Sequence, residues 1–253
     1  WFGDYHLNYN YVAPFYGLYS ANRIEQGDPE DAPILAFRER GRFYARSVFG
    51  EKMRGVHYPV GVGPLGIETT YLGDSAKDRN DHIVEKGGLF FGQRSNPAYC
   101  LVNIAQRWRT TRDPEYGKKV YPYVTDVVDF WEDYLKWEPS RVEPLSEAGR
   151  YVIHADSIQE GTGKNMNPIL SLGLVRNSFD LALDMSEEFE VDADRREKWR
   201  HILDHLSSWT TQEMDGKTVF RYTEEGPHWM HNDTLGIQQI YPGNALGLDS
   251  DPK

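Results

Sequence analysis

A helix that is apolar on nearly every side, followed by a helix with one apolar stripe, is the pattern that most restricts this chain, and it occurs three times. The clearest pair begins at Pro97, where Leu101, Val102, Ile104, Ala105 and Trp108 crowd into a segment with few charges. Such a helix is expected to be buried nearly all round. Thr111-Arg112-Asp113-Pro114-Glu115 breaks it and supplies a cap for the next. There Val120, Tyr123, Val124, Val127, Phe130, Trp131 and Tyr134 recur at i, i+3, i+4, i+7 spacing, with Lys118, Lys119, Asp126, Asp129, Glu132 and Asp133 largely off the stripe. That spacing predicts an outer, amphipathic helix. Another pair opens at Asn167-Pro168 with a helix to about Met185, apolar at Ile169, Leu170, Leu172, Leu174, Val175, Phe179, Leu181 and Leu183. Asp192 or Asp194 then caps a more charged helix to about Leu206. The earliest pair is a short aromatic helix from Pro14 to about Asn22, followed by an outer helix from Asp28-Pro29-Glu30-Asp31 to about Phe49. One hairpin cannot hide an all-round apolar helix, so neighbouring hairpins must stack, as in solenoids and toroids.

The connections carry polar chemistry. Asp4-Tyr5-His6-Leu7-Asn8-Tyr9-Asn10-Tyr11 alternates with period two, which predicts an extended segment with Asp4, His6, Asn8 and Asn10 on one side and the three tyrosines and Leu7 on the other. Pro14 disfavours the helical conformation at Ala13 and starts a helix there. Residues 54–96 are punctuated by glycines and read as a long structured loop, whose His57, Glu68, Asp74 and His82 have no diagnostic spacing. Arg150 to Gly163 starts as a strand and ends in a Gly-rich turn that carries Glu160, and residues 216–222 suit another short strand.

Composition removes several classes of function. A net charge of -11 argues against nucleic acid and against anionic membrane. No apolar run is long enough to cross a bilayer. Cys100 is the sole cysteine, which rules out an internal disulfide. No His-His metal spacing, no phosphate-binding Gly-rich loop and no serine elbow occurs, so neither a cofactor nor a metal is expected. Seven Trp and sixteen Tyr suit grooves that stack sugar rings as well as ordinary cores. Trp1 opens directly into a dense motif without an initiator Met. The expectation is a single, truncated domain over 1–253 of a longer chain, with any export signal lying outside this stretch.

Gly3-Asp4-Tyr5-His6-Leu7-Asn8-Tyr9-Asn10 resembles the Asp-Tyr-His-x-Asn-x-Asn signature of glycoside hydrolase family 95, which contains inverting α-L-fucosidases. The stretch from Trp108 through Asp113-Pro114-Glu115-Tyr116, Val120-Tyr121-Pro122 and Phe130-Trp131 is similar to that family's Val-Tyr-Pro helix pair. Ser157-Ile158-Gln159-Glu160 sits where the family has its Ser-Pro-Glu loop, and His231 with Tyr241-Pro242-Gly243-Asn244 resembles its His-Arg-His and Tyr-Pro-Gly-Asn segment. The resemblance implies an all-α fold, a partial (α/α)6 toroid of about three helical hairpins with short β-strands in long loops. It implies Glu160 as general acid and the pair Asn8 and Asn10 holding the attacking water, a departure from the usual two carboxylates. The assisting carboxylate is Asp4, Asp233 or a residue beyond Lys253. His6, His231 and Asn232 would bind sugar hydroxyls and Trp229 would stack on a ring face. The implied partner is an oligosaccharide or polysaccharide glycan. Gln159 in place of Pro, Asp233 in place of the second His, and Val12 in place of Gln depart from the pattern near the sugar-recognition residues. Two other readings compete: a polysaccharide lyase with Tyr5 or Tyr11 as base beside His6, and a non-catalytic sugar-binding scaffold in which Glu160 is a solvated loop acid.

Overall fold

The computed structural model describes residues 5–67, 69, 93–139, 149–158, 162, 164–229, 235–248 and 250. The described residues form six α-helices and three separate two-stranded antiparallel sheets, and the fold class is all-α. The chain divides into two compact units, Trp1–Asp133 and Tyr134–Lys253.

In the first unit, helices α3 (Asn96–Thr111) and α4 (Pro114–Tyr134) realise the expected buried and amphipathic pair. Asn96 through Ala105 are all buried, as are Arg107 and Trp108. Arg112 adopts a left-handed conformation (φ 50°) that ends α3, and its N–H bonds the Trp108 carbonyl. Asp113 Oδ1 then accepts the N–H groups of Glu115 and Tyr116 at 2.9 and 3.4 Å, the cap that the sequence suggested. Along α4 the predicted stripe is buried. Asp126, which the stripe left outside, is also buried, because two arginines reach it. Arg38 Nε donates to its Oδ2 at 2.8 Å, and Arg42 donates to Oδ1 from both Nε (3.0 Å) and Nη2 (2.9 Å). Asp126→Ala should lower the unfolding free energy by about 2 kcal/mol, less than the 3–5 of a fully buried pair because the arginines reach solvent. Urea denaturation measures it.

The earliest predicted pair is only partly realised. In place of a helix from Pro14 to Asn22 the chain makes a single 3-10 turn at Ala13–Phe15 followed by open turns to Asn22. Leu18 bonds back to Phe15 and Ala21 to Gly17, without a continuous ladder. The outer helix is divided at Phe37 into α1 (Asp28–Ala36) and α2 (Arg38–Phe49). Phe37, whose ψ of -5° interrupts the helix, is fully buried with its ring edge-on to Tyr58 at 5.0 Å. His57 proves structural: it is buried, with Phe130 stacked on it at 5.8 Å and Phe49 edge-on at 5.1 Å.

In the second unit, α5 (Ile169–Glu188) is buried on most sides and α6 (Arg196–His205) packs on it. No side chain caps α6; Arg195 N–H bonds the Asp192 carbonyl instead. Two arginines fasten the hairpin. Arg176 of α5 donates to the carbonyls of Leu203, Leu206 and Ser207, which α6 leaves without helical partners. Arg196 of α6 donates to Ser186 Oγ at 2.8 Å and to the Ser186 carbonyl at 2.6 Å. Arg176→Met, which keeps the stem and removes the donors, should cost about 2 kcal/mol in chemical denaturation.

Strands β3 (Lys136–Pro139) and β4 (Gly149–Val152) pair with Trp137 opposite Tyr151. Strands β5 (Thr211–Met214) and β6 (Lys217–Phe220) form a hairpin, of which the sequence reading found only the second strand. The missed signal is Asp215-Gly216: both have positive φ (51° and 72°), the geometry of the two-residue turn that Asp-Gly favours.

Candidate active site

The segment at the amino end is not an extended strand. Only Tyr5–His6 (β1) is strand, paired with Gly61–Val62 (β2). The Tyr11 N–H then bonds the His6 carbonyl at 2.9 Å, and the N–H groups of Val12 and Ala13 both bond the Tyr9 carbonyl. The Leu7 N–H still reaches across to the Val60 carbonyl at 2.8 Å, but from Asn8 onward the chain folds back on itself, and the period-two expectation fails. Leu7 is buried, Asn8 half-buried and Asn10 exposed, while Tyr9, expected inside, is 57% exposed. His6, Asn8 and Asn10 thus lie on or beside one tight turn. Asp4 lies outside the described residues.

The turn is held from beneath. Asn8 Nδ2 donates to Gln93 Oε1 at 2.8 Å, and Gln93 is buried. Tyr11 stacks on Tyr5 with centroids 4.4 Å apart, and its hydroxyl donates to the Pro29 and Glu30 carbonyls at 3.0 and 3.1 Å. Burial first, and Glu30 second, push that hydroxyl well above the ordinary tyrosine range. Asn103 of α3 spends both amide protons, one on the Val12 carbonyl (2.9 Å) and one on Glu30 Oε1 (2.6 Å).

The Asp28-Pro29-Glu30-Asp31 start predicts that Glu30 and Asp31 are first-turn acids. They do occupy the first turn of α1, but they are 1% and 0% exposed. Burial pushes Glu30 from 4.5 up to about 9, against the opposing Asn103 bond, so it is protonated at neutral pH. Burial also raises Asp31 to about 6, with Arg107 opposing. Arg107 lies 3.5 Å from Asp31 and 2.6 Å from Asp28. A group whose pKa rises on folding holds its proton in the native state after the unfolded chain has released it. Stability therefore falls as pH climbs from about 4.5 to about 9, by up to about 1.4 kcal/mol per pH unit from Glu30. Glu30→Gln should remove that slope, so its urea midpoint gains on the parent's steadily between pH 5 and 9.

In the second unit, Glu160, His231, Asn232 and Asp233 lie outside the described residues. The flanks of Glu160 are described, and one residue gathers them. Asn165 Oδ1 accepts the Ile158 N–H and the Thr162 hydroxyl, both at 3.0 Å, and the Asp156 and Asn165 backbones bond each other in both directions. Glu224 braces the stem, bound by Arg150 at 2.6 and 2.8 Å and by Asn167 Nδ2 at 2.7 Å. The Arg150 contact holds the Glu224 carboxyl below its usual range. Trp229 is 39% exposed and stacks on Tyr222 at 5.2 Å, and Tyr222 shares an apolar cluster with Ile158. Trp229 therefore offers a ring to solvent within the unit that carries the Glu160 loop.

Gln93, Asn103, Glu30 and Asn165 were missed by the sequence reading. A lone asparagine inside the all-round apolar helix was the available signal for Asn103, since a buried amide needs partners. Gln93 gave no signal, because its partner is 85 residues away. A depression of about 680 Å³ is lined by other residues, Phe49 to Arg54 with Glu132 and Asp133. Arg54 in its wall is bound to Asp129, Glu132 and Asp133. Among the described residues no group of three or more metal-ligating side chains is placed to hold an ion. No described helix is long and apolar enough to cross a membrane.

A turn of amides beside a histidine, and an exposed indole, are groups with which proteins bind glycans. The family model of the glycosyl hydrolase family 95 catalytic domain matches residues 1–253, and the chain belongs to that family. It is a glycoside hydrolase domain, and its substrate is a glycan. No curated protein matches the chain.

Proposed function

We propose that this chain is an (α/α)6-type catalytic domain that hydrolyses an α-L-fucoside, or a closely related glycoside, from a glycan end with inversion. Glu160 protonates the leaving oxygen, Asn8 and Asn10 hold the attacking water, and Asp4 or Asp233 takes up the charge that develops on it. His6, His231 and Asn232 bind hydroxyls and Trp229 stacks on a ring face. An amide oxygen is a weak base, so this scheme demands a water held in line and an amide that does not rotate. The observation that carries the reading is the Asn8 amide, fixed on a turn inside the segment with the Asp-Tyr-His-x-Asn-x-Asn motif. The lyase alternative is weakened by Tyr11, whose hydroxyl is committed to two backbone carbonyls and whose pKa is driven away from that of a base. A secreted or periplasmic location suits a glycan substrate.

The test is a screen of the full-length protein on aryl α-L-fucoside, α-L-rhamnoside and β-galactoside, with the first-formed anomer followed by NMR. Release of β-L-fucose from the α-fucoside is expected. Retention of configuration would remove the water-holding role of the asparagines, and turnover of another sugar alone would remove the fucoside assignment.

A further inference from the structure

Asn8 can present either end of its amide to a bound water, and the two ends do opposite things. The oxygen accepts a proton from the water and sharpens it as a nucleophile; the NH2 group donates to the water and blunts it. Something must choose between two orientations that differ by a half-turn of one side-chain bond. Gln93 does: its Oε1 accepts the Asn8 Nδ2 proton at 2.8 Å, and at 4% exposure it has little water to compete with that bond. With one of its two Nδ2 protons held by Gln93, the amide plane is fixed and Oδ1 lies on the other edge of the same group.

We infer that Gln93 is a positioning residue that sets the orientation of the Asn8 amide for water activation. The inference rests on the catalytic reading of Asn8 given above. The local architecture is built for it. Gln93 lies three residues before α3, and Asn103 within α3 holds the Val12 carbonyl at the far end of the same turn. The turn that carries both asparagines is thus gripped at Asn8 and at Val12 by one helix and its lead-in. Asn103 reaches the backbone, which fixes where the turn lies; Gln93 reaches the side chain, which fixes what Asn8 offers.

The test is a double-mutant cycle on the full-length protein with an aryl glycoside that it turns over. Gln93→Met, close in volume and without an acceptor oxygen, should lower kcat by roughly 10- to 100-fold with KM within about threefold, since it loosens the water rather than the sugar. Gln93→Glu keeps an acceptor and should recover most of that loss. In an Asn8→Ala background Gln93→Met should cost nothing further, because the group it orients is gone. An equal loss in both backgrounds would overturn the inference and leave the hydrolase reading standing. Full turnover by Asn8→Ala alone would instead overturn the role of Asn8 and this inference with it. If Gln93→Met does not fold, Gln93→Ala carries the cycle. The wild-type chain also decides without variants: slow solvent exchange of the Asn8 side-chain amide protons by NMR is expected, and unprotected exchange would refute the bond.

Discussion

Glu160→Gln should reduce turnover of a fucoside with a sugar or alkyl leaving group by about 10²- to 10⁴-fold, the range that general acid catalysis supplies, while a dinitrophenyl fucoside is cleaved at nearly the parental rate. The reason lies in the leaving group. A sugar hydroxyl departs as a strongly basic alkoxide unless it receives a proton as the bond breaks, whereas a dinitrophenolate needs none. Comparing kcat/KM for the two substrates therefore isolates proton donation from binding, which glutamine nearly preserves. The alkaline limb of the pH profile with the demanding substrate should vanish together with the activity. Equal losses on both substrates would assign Glu160 to binding or to loop structure, which the Asn165 and Glu224 contacts at its flanks make the natural second explanation.

Gly55→Ala should be among the most destabilising single-methyl additions in the first unit, at about 3 kcal/mol or more. Gly55 has φ +69°, and a Cβ there would stand 2.1 Å from the Asp126 carbonyl oxygen and 2.4 Å from the Phe130 nitrogen, both backbone atoms of α4. Neither can yield without bending the helix. The neighbouring Val56 N–H bonds that same Asp126 carbonyl at 3.2 Å, so relief by withdrawal breaks a hydrogen bond. Gly50→Ala supplies the control. Its backbone (φ 112°, ψ 155°) also lies in a region essentially confined to glycine, but nothing lies within 4 Å of a Cβ, so it carries conformational strain alone, about 1–3 kcal/mol. Urea midpoints that fall equally in the two variants would show that the close approach to α4 does not matter.

What the sequence made legible was governed by the range of the interaction. The α3–α4 and α5–α6 pairs were legible because helical periodicity repeats over many residues, 16 in α3, 21 in α4 and 20 in α5, and the Asp113 cap is local. The first helix of the earliest pair failed because it asked seven or eight aromatic-rich residues after Pro14 to form a helix, too few to repay nucleation. The run from Asp4 to Tyr11 alternates convincingly, yet alternation fixes a strand only where a partner of equal length exists, and β2 offers two residues. Of the proposed site, the asparagines and Glu160 were legible only as sequence motifs. The groups that orient them were not: Gln93 and Asn103 act across 85 and 91 residues. Burial of Glu30 and Asp31 was hidden for the same reason, since an acid in a first helical turn looks alike whether it faces water or Asn103.

The choice of acceptor for the arginines gives different parts of the chain different responses to added salt. Arg38 and Arg42 are fastened to the carboxylate of Asp126, a charge–charge contact that mobile ions screen. Arg176 and Arg196 are fastened largely to peptide oxygens of Leu203, Leu206, Ser207 and Ser186, which carry no net charge. High ionic strength should therefore slacken the clasp between α2 and α4 more than that between α5 and α6, and hydrogen exchange in concentrated salt would register first along α2.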